Sequence, residues 1–359
     1  MMIQSVLKLG LKIKTIAIVA LFFTITGCSK DSDDSTDVTG NWKVSSEFEG
    51  VGRTEAVSFT IGNEVYIGLG YNGTLGYTGT ERLSDFWAFQ KTSGTWKRVA
   101  PFPGPPRNNA VAFVVDGIGY VGTGFDGTQR LSDFWAYNPA TDSWSEVADL
   151  ADFGGVARYG AVAFSVGNKG YIATGNGAGA EGYMKDLWEY NPASDTWVQK
   201  ASLTGSKRQD AVAFVYNNKA YVVTGNNNGS LLSDFYAYDA AADAWTKLRN
   251  ITSSNDDEDY DDDYGSNITR SKASIFVLGN KAYLCCGSTS GITNTVWEYN
   301  IDGDVWEQKT SFEGASRQGA IGFSLGGVGY ITTGTSGSSY FDDLWEFYPD
   351  QEQTSTDNY

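Results

Sequence analysis

A repeated spacing of tryptophan and arginine is the feature that most limits what this chain can fold into. Six tryptophans recur at intervals of 48 to 61 residues, namely Trp42, Trp96, Trp144, Trp197, Trp245 and Trp306. Six arginines recur in phase with them, namely Arg53, Arg107, Arg158, Arg208, Arg270 and Arg317. A sustained period of this length indicates copies of one supersecondary unit that bury a core only by packing against each other.

Each copy has the pattern of four short strands. In the second copy an apolar segment, residues 110–113, follows the arginine, and Asp116-Gly117 supplies residue types that tolerate the positive φ of a hairpin turn. A second strand ends at Gly124, a third covers residues 133–137, and a fourth carries the tryptophan. Ala110 and Ala112 alternate with larger residues, so one face of the first strand can approach its neighbours closely.

This arrangement resembles the kelch repeat over about residues 38–348. The resemblance implies an all-β fold, a six-bladed β-propeller. Typical kelch repeats have a pair of glycines where this chain has Thr-Gly, as at Thr123-Gly124. The composition agrees with short strands and tight turns, because 14% of residues are aromatic and glycine (43) far outnumbers proline (7).

The two ends of the repeat region predict how the ring closes. The sixth copy has no fourth strand after Phe347, whereas residues 38–44 contain a spare Trp42. We expect residues 38–44 to pair with the strand around 344–347, which completes the last blade and leaves no frayed edge. Residues 349–359 are then a polar C-terminal tail.

The N-terminus has the features of an export signal. Lysines precede an apolar run over residues 15–26 that is too short to span a bilayer comfortably. The sequence ITGC at residues 25–28 resembles the lipobox of bacterial lipoproteins. This implies that residues 1–27 are a cleaved signal peptide and that Cys28 carries the lipid. A short membrane anchor with an incidental cysteine is the alternative.

Residues 28–37 form an acidic tether, because they contain almost no apolar residue. The tether resembles acidic tags that direct some Gram-negative lipoproteins to the cell exterior, although a solvated linker has the same composition. We therefore predict a lipid-anchored protein of the outer membrane of a Gram-negative envelope. Exposure at the cell surface and exposure to the periplasm both stay open.

Blade topology assigns the loops to two faces. Connections between blades and second-to-third loops share one face, called the loop-rich face below, and the short hairpin turns share the other, the short-turn face. The long segments 71–84, 125–132, 176–185 and 226–233 and an insertion at residues 250–269 all fall on the loop-rich face. The kelch resemblance implies that ligands dock there.

The six repeated arginines are candidate binding residues for an anionic ligand, such as a sugar acid or a carboxylate-bearing peptide. The alternative is structural, because an aspartate opens the third strand in five copies, namely Asp85, Asp133, Asp186, Asp234 and Asp343. The fifth copy has Thr295 at this position. We therefore expect Arg270 to lack a partner and to be the arginine most available to a ligand.

Metal and redox chemistry have few candidates. The insertion offers oxygen ligands that suit Ca²⁺, at Asp256, Asp257, Asp259 and Asp261. The spacing and the glycine of a calcium-loop motif are missing, so a solvated acidic loop is the alternative. The kelch-like galactose oxidase binds copper through histidine, and this chain has none, so no copper or other cofactor is expected. The adjacent Cys285 and Cys286 are interpreted as small buried residues.

Three classes of function stay open, and a net charge of -17 argues against nucleic acid as a partner. The leading hypothesis is a binding or scaffolding lipoprotein without catalytic activity that docks a protein or glycan. The second is a sugar-active enzyme such as a sialic-acid mutarotase, another six-bladed kelch protein, with Glu181, Asp152 and Glu313 as candidate acid–base groups. The third is an accessory subunit of an outer-membrane export or assembly complex.

Overall fold

The computed structural model describes residues 39–78, 81–177, 179–252, 268–354 and 356–358. Within these ranges the chain forms six four-stranded antiparallel sheets, called blades one to six, and no helix is long and apolar enough to cross a membrane. The predicted signal peptide, Cys28, the tether and the calcium candidates Asp256, Asp257, Asp259 and Asp261 lie outside the described residues.

The first three blades follow one another along the chain. Blade one consists of Val57–Ile61, Glu64–Gly68, Phe86–Gln90 and Thr95–Val99. Blade two consists of Val111–Val115, Ile118–Gly122, Phe134–Asn138 and Ser143–Val147. Blade three consists of Val162–Val166, Lys169–Ala173, Leu187–Asn191 and Thr196–Lys200.

The second half repeats the pattern, except that blade six takes one strand from the N-terminus. Blade four consists of Val212–Tyr216, Lys219–Val223, Tyr236–Asp239 and Ala244–Lys247. Blade five consists of Ser274–Leu278, Lys281–Cys285, Val296–Asn300 and Val305–Lys309. Blade six consists of Ile321–Leu325, Val328–Thr332, Leu344–Tyr348 and Asn41–Val44.

Short elements shape the loop-rich face. One small sheet contains Arg158–Tyr159, Asn176–Gly177 and Gly182–Tyr183. Two hairpins pair Asn226–Asn227 with Ser230–Leu231 and Thr335–Ser336 with Ser339–Tyr340. Two 3-10 helices cover Gly73–Thr78 and Leu150–Phe153. Ile251 and Ile268, which flank the undescribed part of the insertion, are fully buried in the core.

The first strand of each blade lines an axial channel of about 230 Å³. Ala110 and Ala112 of blade two face this channel, whereas Val111 and Phe113 are buried against neighbouring strands. The predicted separation of small and large residues onto opposite faces is confirmed. The equivalent positions of the other blades also have Ala, Ser or Gly, except for Ile275 of blade five, and small side chains there suit six strands that converge on one axis.

A ring of backbone hydrogen bonds joins all six blades at the loop-rich end of this channel. Each participating residue lies two positions after a repeated arginine and has a φ of 53° to 62°. We call this set the mouth ring: Glu55, Asn109, Gly160, Asp210, Lys272 and Gly319. Each N–H donates to the carbonyl of the preceding member at 2.8 to 3.1 Å, and the sixth bond, from Glu55 to Gly319, closes the circle.

Adjacent strands within every blade are held by a stacked aromatic pair. A phenylalanine of the first strand lies opposite a tyrosine of the second, with ring centroids 4.7 to 5.4 Å apart and nearly parallel planes. The pairs are Phe59–Tyr66, Phe113–Tyr120, Phe164–Tyr171, Phe214–Tyr221, Phe276–Tyr283 and Phe323–Tyr330. Directly opposed aromatic residues stabilise an antiparallel sheet beyond the area that they bury.

Aspartates in the third-to-fourth turns connect neighbouring blades, which the sequence reasoning missed. Asp142 accepts a hydrogen bond from Tyr137 in its own blade and from the backbone N–H of Ala100 in blade one, both at 2.8 Å. Asp195 and Asp243 repeat this arrangement in the next two blades. These carboxylates fix the lateral spacing of the blades.

The N-terminal strand closes blade six as predicted. Asn41–Val44 pairs antiparallel with Leu344–Tyr348, with Trp42 opposite Phe347. The C-terminal segment then folds back over this strand: Asp357 accepts a hydrogen bond from Asn41 at 2.9 Å and forms an ion pair with Lys43 at 3.4 Å. The tail is polar as expected, but it covers the outer edge of the closing strand.

Candidate functional site

The six repeated arginines are buried inside the ring, and each exposes 0% of its surface. Arg107 shows the pattern: its two Nη groups donate to Asp133 at 2.6 Å, and Nη1 also donates at 2.9 Å to the carbonyl of Thr123, a residue with a φ of 58°. The predicted arginine–aspartate pairs occur in five blades, as Arg53–Asp85, Arg107–Asp133, Arg158–Asp186, Arg208–Asp234 and Arg317–Asp343. Each pair holds the end of the second strand in place.

Arg270 differs from the expectation that it would lack a partner. It donates to the backbone oxygen of Thr295 at 3.0 Å, to Oγ1 of the same residue at 2.8 Å, and to the Cys286 carbonyl at 2.8 Å. Burial lowers its pKa to about 10. Because all six guanidinium groups are enclosed by protein, the geometry supports their structural interpretation, and no surface ligand contacts them directly.

Cys285 and Cys286 are both fully buried, as interpreted from the sequence. Cys286 occupies the same left-handed position as Thr123, with a φ of 61°. Burial raises the pKa of the Cys286 thiol to about 12, so it stays protonated and unreactive at neutral pH. Within the described ranges, no cluster of three or more cysteine, aspartate or glutamate side chains is arranged to hold a metal ion.

The structure does not bring together the three acid–base candidates from the sequence. Glu181 lies exposed in the second-to-third loop of blade three, and Asp152 lies exposed in the 3-10 helix before that blade. Glu313 lies between blades five and six and accepts a hydrogen bond from Asn358 at 2.5 Å. None of them lines the mouth of the axial channel.

Charged and amide side chains instead converge at the loop-rich mouth of the channel. The mouth ring and the alanines behind it line a depression of about 160 Å³. Two members of the ring are glycines because neighbouring side chains occupy the space of a Cβ atom. At Gly160 this atom would lie 2.8 Å from Asp210 Oδ1, and at Gly319 it would overlap Thr54 Oγ1.

Lys272 lies between two carboxylates of the mouth ring. Its ammonium group donates to Glu55 Oε1, and its charge also acts on Asp210. Burial raises the pKa of Asp210, and the charge of Glu55 adds to this effect while that of Lys272 opposes it. Burial alone would lower the pKa of the Lys272 ammonium group. The negative charges of Glu55 and Asp210 outweigh this effect and raise the pKa.

Amide side chains extend this charged centre in both directions. On one side, Glu55 Oε2 accepts hydrogen bonds from Asn108 and Asn109, each at 2.6 Å. On the other side, Gln209 donates to Asp210 Oδ2 at 2.9 Å, and Asn176 donates to Gln209 Oε1 at 2.9 Å. The polar groups of five blades are thereby joined around the mouth.

An arginine lies at each end of this chain of contacts. Arg82 Nε donates to Asn108 Oδ1 at 2.7 Å, and Arg130 Nη2 donates to Asn176 Oδ1 at 2.8 Å. We call the whole set the mouth network: Arg82, Asn108, Glu55, Lys272, Asp210, Gln209, Asn176 and Arg130. Its three cations and two anions give it a net positive charge, although the chain as a whole carries -17.

Aromatic rings support both arginines. The guanidinium carbon of Arg82 lies 5.3 Å from the ring centroid of Tyr71 and 5.0 Å from that of Phe125. That of Arg130 lies 5.1 Å from the centroid of Tyr159, whose ring is 5.8 Å from Phe125. All these side chains are partly exposed. Stacking on an aromatic face holds a guanidinium group in one orientation.

The internal repeats separate these residues from the structural ones. The residue after each repeated arginine pairs with the residue after the second-strand glycine. At these two positions blades one to six have Thr54/Tyr71, Asn108/Phe125, Tyr159/Asn176, Gln209/Asn226, Ser271/Ser288 and Gln318/Thr335. Packing keeps the arginine and the glycine alike in every blade but leaves these positions free to differ. An alignment of the six repeats, searched for variable positions next to constant ones, could have identified Asn108, Asn176 and Gln209 of the mouth network.

Comparisons with known proteins agree with the fold. Residues 106–151, which cover the second repeat, match the kelch motif. Among solved structures, the one titled "Structure of YjhT" aligns with a TM-score of 0.67 and 16% sequence identity, over 84% of this chain and 95% of that chain. No curated protein matches the chain by sequence. The chain therefore contains a kelch motif and has the fold of a β-propeller. At this level of identity the likeness establishes the fold alone.

Proposed function

We propose that this protein is a lipid-anchored binding protein that docks a glycan on its loop-rich face, at the mouth network. The observation that carries the proposal is the mouth network: Glu55, Asp210 and Lys272 line the depression, and amide side chains connect them to two arginines that stack on aromatic rings. Ligand sites typically combine a concave surface with a few convergent polar groups. The rest of the repeat is explained by packing, whereas these residues are not needed for it.

The chemistry of the mouth favours a glycan over an extended protein surface. Partly exposed rings such as Tyr71, Phe125 and Tyr159 offer flat apolar faces, and Asn176 and Gln209 offer amides beside them. Sugars present C–H groups on their ring faces and hydroxyl groups at their edges, so this combination matches both.

Tyr159→Ala is expected to weaken glycan capture by at least about tenfold, because one ring of the mouth is lost together with its contact to Arg130. Binding of envelope polysaccharides to the purified protein checks this. The matched control is Tyr216→Ala, which removes a partly buried tyrosine beside the 217–218 turn of the short-turn face. Loss of capture in the control, with normal capture by Tyr159→Ala, would place the working surface on the opposite face.

The anchor is tested separately. Cys28→Ala should move the protein from the membrane fraction into a soluble fraction, because a single cysteine carries the lipid. Mass spectrometry of the native protein should find residue 28 at the N-terminus with acyl chains attached. A native protein that retains residues 1–27 contradicts lipidation.

A sugar-active enzyme is the second candidate, and one observation favours it. Asp210 has a raised pKa and lies beside the charge of Lys272, so the mouth contains a carboxyl group and an ammonium group of the kind used in acid–base catalysis. Turnover of a sugar acid that Asp210→Asn abolishes would favour this function.

An accessory role in an export or assembly complex predicts a stable partner that co-purifies from solubilised membranes.

A further inference from the structure

Two arginines at the mouth have donors that the fold does not use. We infer that Arg82 and Arg130 form a subsite for an oxyanion, such as a carboxylate, sulfate or phosphate group of the ligand. This inference rests on the proposed function only in placing the ligand on the loop-rich face. The subsite lies on both sides of Phe125, because Arg82 stacks on its ring and Arg130 pairs with its backbone.

The first argument is the inventory of donors. Arg107 bonds Asp133 through both Nη groups and donates to two carbonyls besides. Among the described residues, Arg82 donates only through Nε and Arg130 only through Nη2, and neither forms an ion pair with a carboxylate. Arg130 Nε is buried and has no acceptor there. Because both side chains are partly exposed, it is their remaining Nη groups that an external acceptor can reach.

The second argument is preorganisation. A flexible arginine loses conformational freedom when it binds an anion, and that loss weakens binding. Here the two rings of Tyr71 and Phe125 enclose Arg82, and Asn108 fixes its Nε. Tyr159 and Asn176 fix Arg130 in the same way. The ordering cost is therefore already met when the protein folds.

The third argument is the local charge. The nearby carboxylates are engaged elsewhere, since Glu55 and Asp210 act on Lys272 and accept amide hydrogen bonds. Asp126, in the loop beside Arg82, turns its Oδ1 atom toward the N–H groups of Thr128 and Gln129 in its own turn. The mouth network therefore has three cations against two anions, while Asp126 acts on Arg82 and Glu81 is hydrogen-bonded to Tyr71, so the positive charge is confined to the Arg82, Arg130 and Lys272 side chains themselves.

The test uses direct binding of defined probes to the full chain, purified in detergent. Sodium sulfate, inorganic phosphate, glucuronate and glucose are titrated separately and followed by calorimetry. At least one anion should bind, and glucose should bind more weakly than glucuronate. Arg82→Gln and Arg130→Gln should each weaken anion binding by at least about tenfold, because each removes a charged donor. Arg98→Gln, at an exposed position of blade one, should leave it unchanged.

The outcomes separate this inference from the proposed function. Binding of glucuronate alone identifies a carboxylate site, and binding of sulfate or phosphate alone identifies an ester site. Anion binding that is absent, or equal in Arg82→Gln, Arg130→Gln and Arg98→Gln, overturns the subsite. If Tyr159→Ala abolishes glycan capture while both arginine variants retain it, the proposed function stands and the subsite fails. If the arginine variants lose anion binding but the wild-type protein captures no glycan, the subsite stands and the proposed function fails.

Discussion

Trp42→Ala is expected to lower the free energy of unfolding by about 3–5 kcal/mol, the usual cost of truncating a large buried aromatic side chain. Trp42 exposes 0% of its surface and packs against Phe347 at 4.5 Å and Phe312 at 4.9 Å between ring centroids. It also anchors the only strand of blade six that comes from the other end of the chain. Urea denaturation of the purified protein measures the change.

The matched control is Val44→Ala in the same strand. Val44 is 39% exposed, so its truncation should cost less than about 1 kcal/mol. A loss from Trp42→Ala that is no larger than that from Val44→Ala would show that the N-terminal strand does not hold the ring together. Removal of residues 39–46 should cause aggregation, because it leaves Leu344–Tyr348 as an unpaired edge strand.

Arg107→Ala is expected to cost about 3–5 kcal/mol, because it removes one partner of a buried ion pair and leaves the Asp133 carboxylate uncompensated. The Arg107 side chain is 0% exposed and that of Asp133 is 19% exposed. The substitution also releases the carbonyl of Thr123, a β-branched residue in a left-handed conformation. Thermal and urea denaturation should both report the loss.

Two further variants separate charge from geometry at this position. Arg107→Lys keeps the charge but loses the bidentate contact with Asp133. Its free energy of unfolding should therefore lie between those of the wild type and Arg107→Ala. Arg98→Ala, at an exposed position of blade one, should change stability by no more than about 0.5 kcal/mol. If Arg107→Ala costs as little as Arg98→Ala, the repeated arginines are not structural, and their role in ligand binding has to be reconsidered.

The repeated residues show why one class of site could be anticipated and another could not. The spacing of Arg107 and Asp133 in the sequence was sufficient to predict their pairing, because the same two residue types recur in five copies. Arg82 and Arg130 recur in only two copies, and Glu55, Asp210 and Lys272 are three different residues at one equivalent position. A position that differs between copies gives no periodic signal, so the mouth network was overlooked.

The sequence by itself determined the local and repeated features of this protein. A period of two residues within each strand placed small residues such as Ala110 toward the axis, because side chains alternate between the two faces of a strand. A period of about 50 residues gave four strands per copy and identified the spare Trp42 at the N-terminus, because each copy buries its core only against its neighbours. Even ring closure could be predicted, because the missing strand of one end is present at the other.

Only the tertiary structure decided which side chains share a surface. Glu55 and Lys272 are more than 200 residues apart in sequence, yet they are in contact because the ring brings the first and fifth blades to one mouth. Arg270, which has no aspartate at the repeated position, proved to be enclosed and bonded to Thr295 and Cys286. Burial and partner choice depend on contacts between distant segments, and a local pattern does not encode those contacts.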